Sequence, residues 1–280
     1  MSGNPFGTAV VQMQPESGDV QSNLEVIEAS SRQAADRGAT LVIVPELATT
    51  GYLLDERIAE LAETIPGATS ARLCDIAREN SVYLVCGIIE REGGRFFNSS
   101  VLCAPDGELL AVYRKLHLFS SEKSWYSLGS KLCVVETEIG NIGLSVCYDL
   151  IFPEYIRSLT LGGAELIVNC TNWVTNDYQT NEWGWSGKQV RSLVRTRALE
   201  NGVYIAMADC TGVAGEWRSL GHSCIASPSG RLLASLGEES GVATATVDLD
   251  PEYLSGWRSI ATYLPDRRPE LYKGIGQSSE

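Results

Sequence analysis

Histidine is almost missing from this chain. There are two in 280 residues, His117 and His222. Eight cysteines are present, yet none form a C-x-x-C pair and none cluster with histidine. A zinc site or any other metal centre is therefore not expected. Positive charge is scarce as well: 22 Lys and Arg face 35 Asp and Glu, for a net charge of −13. That balance argues against sequence-independent binding of nucleic acid, which needs a basic surface. We read the acidity as an aid to solubility or a mark of a salty habitat, and infer no cationic substrate from it. Long apolar runs are absent too. No window holds the roughly 18 uninterrupted apolar residues of a membrane span. The opening Met-Ser-Gly-Asn-Pro-Phe-Gly shows no basic region followed by an apolar one, so no secretory signal is visible and no membrane partner is expected. Together these absences predict a cytoplasmic protein with reduced, mostly buried thiols at Cys74, Cys86, Cys103, Cys133, Cys147, Cys170, Cys210 and Cys224.

What is present is an ordinary globular composition, 44% hydrophobic and 20% charged, long enough for a large core. The pattern alternates from end to end. Residues 8–14 (TAVVQMQ) read as a strand. Residues 22–37 carry Leu24, Ile27, Ala34 and Ala35 at helical spacing, and Gly38 ends that helix. Residues 39–44 (ATLVIV) are apolar on both faces, as a strand covered on both sides must be. A helix at 70–79 and a strand at 81–89 follow. Two hairpins are expected next, 96–103 with 108–113 and 132–138 with 142–146, each split by a turn rich in Gly, Pro, Asn or Asp. A helix at 153–162, a strand at 164–170, a long loop at 171–187 with Trp173, Trp183 and Trp185, a helix at 189–201 and a strand at 203–208 come after. A hairpin at 223–227 and 231–235, a strand at 242–247 and a short helix from Asp250-Pro251-Glu252 complete the pattern. The expectation is one mixed α/β domain over 1–280, a sandwich with helices outside the sheets, and a polar tail from about 259 to 280.

One stretch organises the chemistry. The apolar run Ile142 to Val146 stops abruptly at Cys147, and Phe152-Pro153-Glu154 opens a helix with Pro153 where its missing N–H costs nothing. A thiol between a strand end and a helix N-terminus should sit in positive potential, which favours the thiolate. Two other polar residues end apolar strands in the same way: Glu46 after LVIVP and Lys115 after LLAVYR. Functional side chains in α/β folds gather at such ends. Glu122 lies seven residues past Lys115 in a loop. Chemically the set is coherent. A carboxylate in a partly dry cleft can act as base and then acid, and a fixed ammonium can neutralise a developing oxyanion. The backbone N–H of Tyr148 could supply a second oxyanion donor. Taken singly, each residue also has an ordinary reading: a buried Cys as a small hydrophobe, Lys115 as a solvated charge. Their recurrence at three strand ends is what favours function.

These segments resemble the three signatures of the nitrilase superfamily, the carbon–nitrogen hydrolases. Pro45-Glu46-Leu47 with Thr50-Gly51-Tyr52 is similar to the segment of its catalytic glutamate. Tyr113-Arg114-Lys115-Leu116-His117-Leu118-Phe119 is similar to the lysine segment, and Gly143 to Asp149 with Phe152-Pro153-Glu154 to the nucleophile segment. The resemblance extends to Arg197-Ala198-Leu199-Glu200-Asn201 and Ser227-Pro228-Ser229-Gly230. It implies a four-layer α-β-β-α sandwich that pairs into homodimers or larger assemblies. It implies Cys147 as nucleophile, Glu46 as general base and acid, Lys115 as oxyanion stabiliser, and Glu122 as a second glutamate that positions substrate and lysine. Cys147-Tyr148-Asp149 stands where true nitrilases resemble Cys-Trp-Glu, which points to the amidase branches. The expected reaction is hydrolysis of a small aliphatic amide or ω-amide through a thioester, with no metal or organic cofactor. Hydrolysis of N-carbamoyl amines ranks second and of nitriles third. Tyr52, Asn172 and Trp173 are candidate substrate-binding residues. The tryptophans of 171–187 are either an aromatic pocket wall or anchors of the loop or a subunit interface.

Readings from other classes compete. A papain-like Cys–His pair would need His117 or His222 beside Cys147. We expect His117 instead to be structural, bonded to backbone near the lysine loop. Gly140-x-x-Gly143 is a hairpin turn, not a nucleotide-binding fingerprint. A catalytically silent binding protein on the same sandwich is the last alternative, and intact Glu46, Lys115 and Cys147 argue against it.

Overall fold

The computed structural model describes residues 4–272 and residue 274. In chain order the first half runs β1 (Phe6–Gln12), α1 (Val20–Asp36), β2 (Ala39–Ile43), α2 (Ile58–Leu61), α3 (Ala68–Asn80), β3 (Tyr83–Glu92), β4 (Arg95–Cys103), β5 (Leu109–Arg114), β6 (Val134–Thr137) and β7 (Gly140–Val146). The second half runs α4 (Pro153–Leu161), β8 (Leu166–Thr171), β9 (Val174–Thr175), α5 (Asp177–Trp183), α6 (Gly187–Asn201), β10 (Tyr204–Asp209), β11 (Val213–Ala214), β12 (Trp217–Ser219), β13 (Cys224–Ala226), β14 (Leu232–Ser235), β15 (Gly241–Val247) and α7 (Glu252–Ile260).

Two six-stranded sheets result, in the orders β15-β1-β2-β3-β4-β5 and β14-β13-β10-β8-β7-β6. Each is built alike. Three parallel strands (β1, β2, β3 in one, β7, β8, β10 in the other) are joined by helical crossovers, and antiparallel strands extend both edges. Period-two alternation decides what each strand buries. Val10, Leu41, Ile43 and Val85 point into the core shared with Leu144, Val146 and Val168 of the second sheet. Their neighbours Ala9, Val11, Val42, Val44 and Leu84 point outward and pack against Leu24 and Ile27 of α1 and Leu73 and Ile76 of α3. On the far side, Ile156 and Leu159 of α4 and Val190, Val194 and Ala198 of α6 cover the second sheet. The layers are therefore α-β-β-α, as expected. Each fully buried Leu, Ile or Val contributes roughly 1.5–3 kcal/mol of transfer free energy. Both faces of these strands must be covered for that gain, which is why they read as continuous apolar runs.

Local signals set the element ends. Asp19 accepts a hydrogen bond from the Ser22 N–H at the start of α1, and Ser186 from the Lys188 N–H at the start of α6. Gly202 closes α6 in the left-handed conformation at φ +66°. One expectation needs correction. Residues 171–187 are not a plain loop. They hold β9, which pairs with β12, and α5, whose N-terminus is capped by Asn176 and whose end is set by Gly184. No residue of α5 is buried, so it has no apolar stripe to announce it. The helix expected from Pro153 does open there as α4, after a 3-10 turn over Cys147–Ile151. The polar tail expected from about 259 to 280 falls partly outside the described residues. Among the described residues no helix is long and apolar enough to cross a membrane.

Candidate active site

Glu46, Lys115 and Cys147 leave three different strands and meet between the two sheets. Glu46 follows β2 and Lys115 follows β5, in one sheet, and Cys147 follows β7 in the other. All three are buried, with Glu46 at 0%, Lys115 at 1% and Cys147 at 6% exposure. The Lys115 ammonium donates to Oε1 of Glu46 at 2.6 Å and to Oε1 of Glu122 at 2.9 Å. Glu122 is held in turn by the Phe119 N–H, 2.6 Å from its Oε2. The structure thus unites the four polar candidates named from sequence.

Close approach of the Glu46 turn depends on a glycine. Gly87 of β3 lies under it, and a Cβ there would come within 2.3 Å of the Leu47 nitrogen and 2.7 Å of the Glu46 Cα. The Gly87 N–H also donates to the Pro45 carbonyl at 3.1 Å. At Cys147 the backbone turns sharply, with φ +46°, a strained value for a non-glycine residue. That turn is fixed by Asp149, whose buried carboxylate accepts from the Val146 N–H (2.9 Å), the Tyr113 hydroxyl (2.7 Å) and the His117 N–H (3.0 Å). Asp149 therefore ties the nucleophile turn to the lysine segment.

Asn172 joins the cysteine to the glutamate. Its N–H donates to Oε2 of Glu46 at 2.9 Å, and its carbonyl lies 3.8 Å from the Cys147 sulfur. Its side-chain oxygen accepts from Ser219 at 2.7 Å. Trp173 is buried; its N–H donates to Asp209 at 2.9 Å and its ring meets Trp185 edge-on at 5.8 Å. Trp183 is elsewhere: it is 64% exposed and packs on Tyr178. The Tyr52 phenol is held protonated, its pKa pushed well up by burial and then by the nearby acidic groups Glu122 and Glu46.

The electrostatics revise the expected resting state of the thiol. Burial raises the Cys147 pKa well above its ordinary value, and the Glu46 charge raises it further; Lys115 opposes both without prevailing. Burial likewise raises Glu46, against the pull of Lys115. For Lys115 burial works against the charge, but Glu46, Cys147 and Glu122 outweigh it and hold the ammonium firmly protonated. A standing thiolate would place an anion in a dry site beside Glu46, whose charge works against it. The neutral thiol beside a proton-accepting glutamate is the favoured ground state, so helix-terminus potential alone does not make a thiolate here.

Sequence reasoning missed three polar residues. Asn98, in β4, donates to Glu46 at 2.7 Å and to Glu122 at 3.1 Å, bridging the two carboxylates opposite Lys115. Its only sequence signal is an amide within a largely apolar strand, in the part of β4 that is buried. Asp149 was visible two residues after the cysteine, but its bonding partners are distant in sequence. Asp209 is wholly buried, one oxygen has no partner, and burial raises its pKa well above the usual carboxylate range. His117 corrects an expectation: its Nδ1 lies 2.7 Å from Asp149 and its ring stacks on Phe152 at 3.8 Å, so its side chain pairs with a carboxylate and not with backbone. His222 pairs with Arg191. Among the described residues no group of three or more His, Cys, Asp or Glu side chains is arranged to hold a metal ion.

Known proteins share this arrangement of chain and fold. The family model for carbon–nitrogen hydrolases matches residues 7–258. A probable nitrilase of Schizosaccharomyces pombe is 32% identical over 274 residues, covering 95% of this chain and 97% of that protein. An omega-amidase of Xenopus tropicalis is 34% identical over 254 residues, covering 86% and 87%. The crystal structure of an amidase from Nesterenkonia sp. superposes with a TM-score of 0.83 at 29% identity, over 98% of each chain. The fold and these matches define an enzyme that hydrolyses carbon–nitrogen bonds other than peptide bonds. The chain belongs to the carbon–nitrogen hydrolase family, in the amidase-like branch of the nitrilase superfamily.

Proposed function

We propose that the protein hydrolyses a small-molecule amide to a carboxylic acid and ammonia through a thioester on Cys147. The observation that carries this reading is the buried Glu46–Lys115–Glu122 cluster, linked to the cysteine through the two sides of Asn172. Glu46 takes the thiol proton as sulfur attacks the amide carbon, so no free thiolate need persist. Lys115 and the Tyr148 N–H hold the oxyanion, each such donor contributing on the order of 2.7–4 kcal/mol. Glu46 then gives its proton to the leaving ammonia. Water, deprotonated by Glu46, attacks the thioester and frees the acid. Glu122 and Asn98 keep the ammonium and the base in register throughout. Glu46 carries every proton, from the thiol to the leaving ammonia in the first half and from water back to the sulfur in the second, and no cofactor is needed.

Aliphatic amides and ω-amides lead the substrate list, with N-carbamoyl amines second and nitriles third. Support comes from relatives named omega-amidases, and from a Glu-to-Gln, Cys-to-Ala double mutant of the Nesterenkonia amidase in complex with acrylamide. Tyr52, Asn172 and Trp173 border the acyl group in this reading. The protein works in the cytoplasm as a homodimer or larger homo-oligomer; Tyr253, Trp257 and Ile260, exposed on α7, are apolar surface a second copy could cover. Ammonia release over a panel of short amides, ω-amides, carbamoyl amines and nitriles is the test. Turnover of an amide that Cys147→Ala abolishes while the protein stays folded supports the reading; turnover retained by that variant overturns it.

A further inference from the structure

Two thiols outside the active site lie closer than two unbonded sulfurs normally approach. Cys74 is on α3 and Cys103 ends β4, 29 positions apart in sequence, and their sulfurs are 2.9 Å apart. A disulfide needs sulfurs that can close to about 2.05 Å with their Cβ atoms facing one another. The two sulfurs are already in direct contact, within about 1 Å of bonding distance. Cys103 is wholly enclosed, while Cys74 keeps 8% of its surface open. The surroundings single the pair out. Cys86 and Cys170 are also buried, yet neither has a sulfur partner.

We propose that Cys74 and Cys103 form an oxidation site, in which a hydroperoxide converts the two thiols to a disulfide that staples α3 to β4. Cys74 is the residue assigned to react first, since of the two it alone keeps any exposure, Cys103 being fully enclosed. The hydrogen bond to Cys103 lowers the Cys74 pKa from its ordinary value, which favours Cys74 over its partner as the attacking sulfur. The Cys74 sulfur attacks the O–O bond. A sulfenic acid forms, and the departing oxide takes up the thiol's proton to leave as water or an alcohol. The Cys103 sulfur then attacks the sulfenic sulfur. The S–S bond forms, the S–O bond breaks, and hydroxide leaves with the Cys103 proton as water. Two thiols are oxidised by two electrons in all, and one hydroperoxide is reduced. Close placement of the second sulfur favours the disulfide over further oxidation of the first to a sulfinic acid. β4 also carries Asn98, which bridges Glu46 and Glu122, so the staple would hold a strand of the active site to its covering helix without touching the reacting atoms.

The test is mass spectrometry of the folded protein after limited treatment with hydrogen peroxide, followed by alkylation of free thiols and proteolysis. The expected result is a peptide pair joined through Cys74 and Cys103, lighter by two hydrogens and separated again by dithiothreitol. It should form in wild-type protein and in Cys86→Ser, and be absent in Cys74→Ser. The oxidised wild type should melt higher than the reduced protein by about 5–10 °C, the scale expected for closing a loop of this length in a chain of this size, and Cys74→Ser should show no such rise. Alkylation of both residues after oxidation, or a sulfinic acid on Cys74 with Cys103 still free, overturns the proposal. A cross-link that leaves the melting temperature unchanged overturns the stapling role.

Discussion

Replacing Glu46 with Gln changes one oxygen to an NH2 group and removes one charge from the cluster, while keeping the side chain's size. In the native site Oε1 accepts from Lys115 and Asn98, and Oε2 accepts from the Asn172 N–H. A glutamine can satisfy only one side. If its oxygen faces Lys115 and Asn98, its NH2 meets the Asn172 N–H; if flipped, its NH2 meets an ammonium and an amide. Either way at least one buried donor loses its acceptor, which costs about 1–3 kcal/mol of stability. The chemical loss is larger, because a general base and acid is removed from both half-reactions: a fall in kcat/KM of roughly 10²–10⁴ is expected. A third quantity moves the other way. The Glu46 charge is one cause of the raised Cys147 pKa. Removing it should lower that pKa, so Glu46→Gln should alkylate Cys147 with iodoacetamide faster than wild type at the same pH. The assay set is ammonia release, thermal melting and alkylation rate of the Cys147 peptide. Activity within a few-fold of wild type would refute Glu46 as the proton carrier. Slower alkylation in a folded variant would refute the electrostatic argument for a neutral resting thiol.

Other consequences follow from the same geometry. Asp209 has a folded-state pKa raised by burial, so the folded protein binds its proton more tightly than the unfolded chain does. Its contribution is fully present below the unfolded value near about 3.9 and is lost as pH rises through the folded value. Asp209→Asn, measured by denaturant unfolding across that range, should therefore lose less stability with rising pH than wild type; identical pH slopes would show that Asp209 is not buried as a proton carrier. His117→Ala should lower stability by about 1–2 kcal/mol through the loss of a bond to buried Asp149 but leave kcat near normal, whereas a drop of roughly 10³-fold or more would revive a Cys–His mechanism. Trp173→Ala should cost about 3–5 kcal/mol of stability and change kcat/KM unequally across a panel of amides; a uniform effect would assign the ring to the scaffold alone.

How far the sequence spoke depends on the range of the interactions. Layers and crossovers were legible because strands such as 39–44 must be apolar on both faces, and helices such as 22–37 on one. Glu46, Lys115 and Cys147 were legible because each ends an apolar run abruptly. Their convergence was not, since it depends on two sheets packing face to face, a long-range fact with no local trace. Asn98 was hidden for the same reason: a polar residue in a strand is informative only once Glu46 and Glu122 are seen on either side of it. The helix α5 escaped notice because it buries nothing. The most instructive error concerns the thiol. Local reasoning put Cys147 in the favourable field of a helix start, but the carboxylates brought beside it from the other sheet, together with burial, push its pKa upward.

The most direct measurement is rapid-quench mass spectrometry of the enzyme during turnover of whichever amide it accepts. A transient mass increase equal to the acyl group, mapped to the peptide carrying Cys147 and discharged as acid accumulates, is the predicted result. Steady ammonia release with Cys147 unmodified at every time point, or an acyl group carried on another residue, would contradict the assignment of Cys147 as nucleophile.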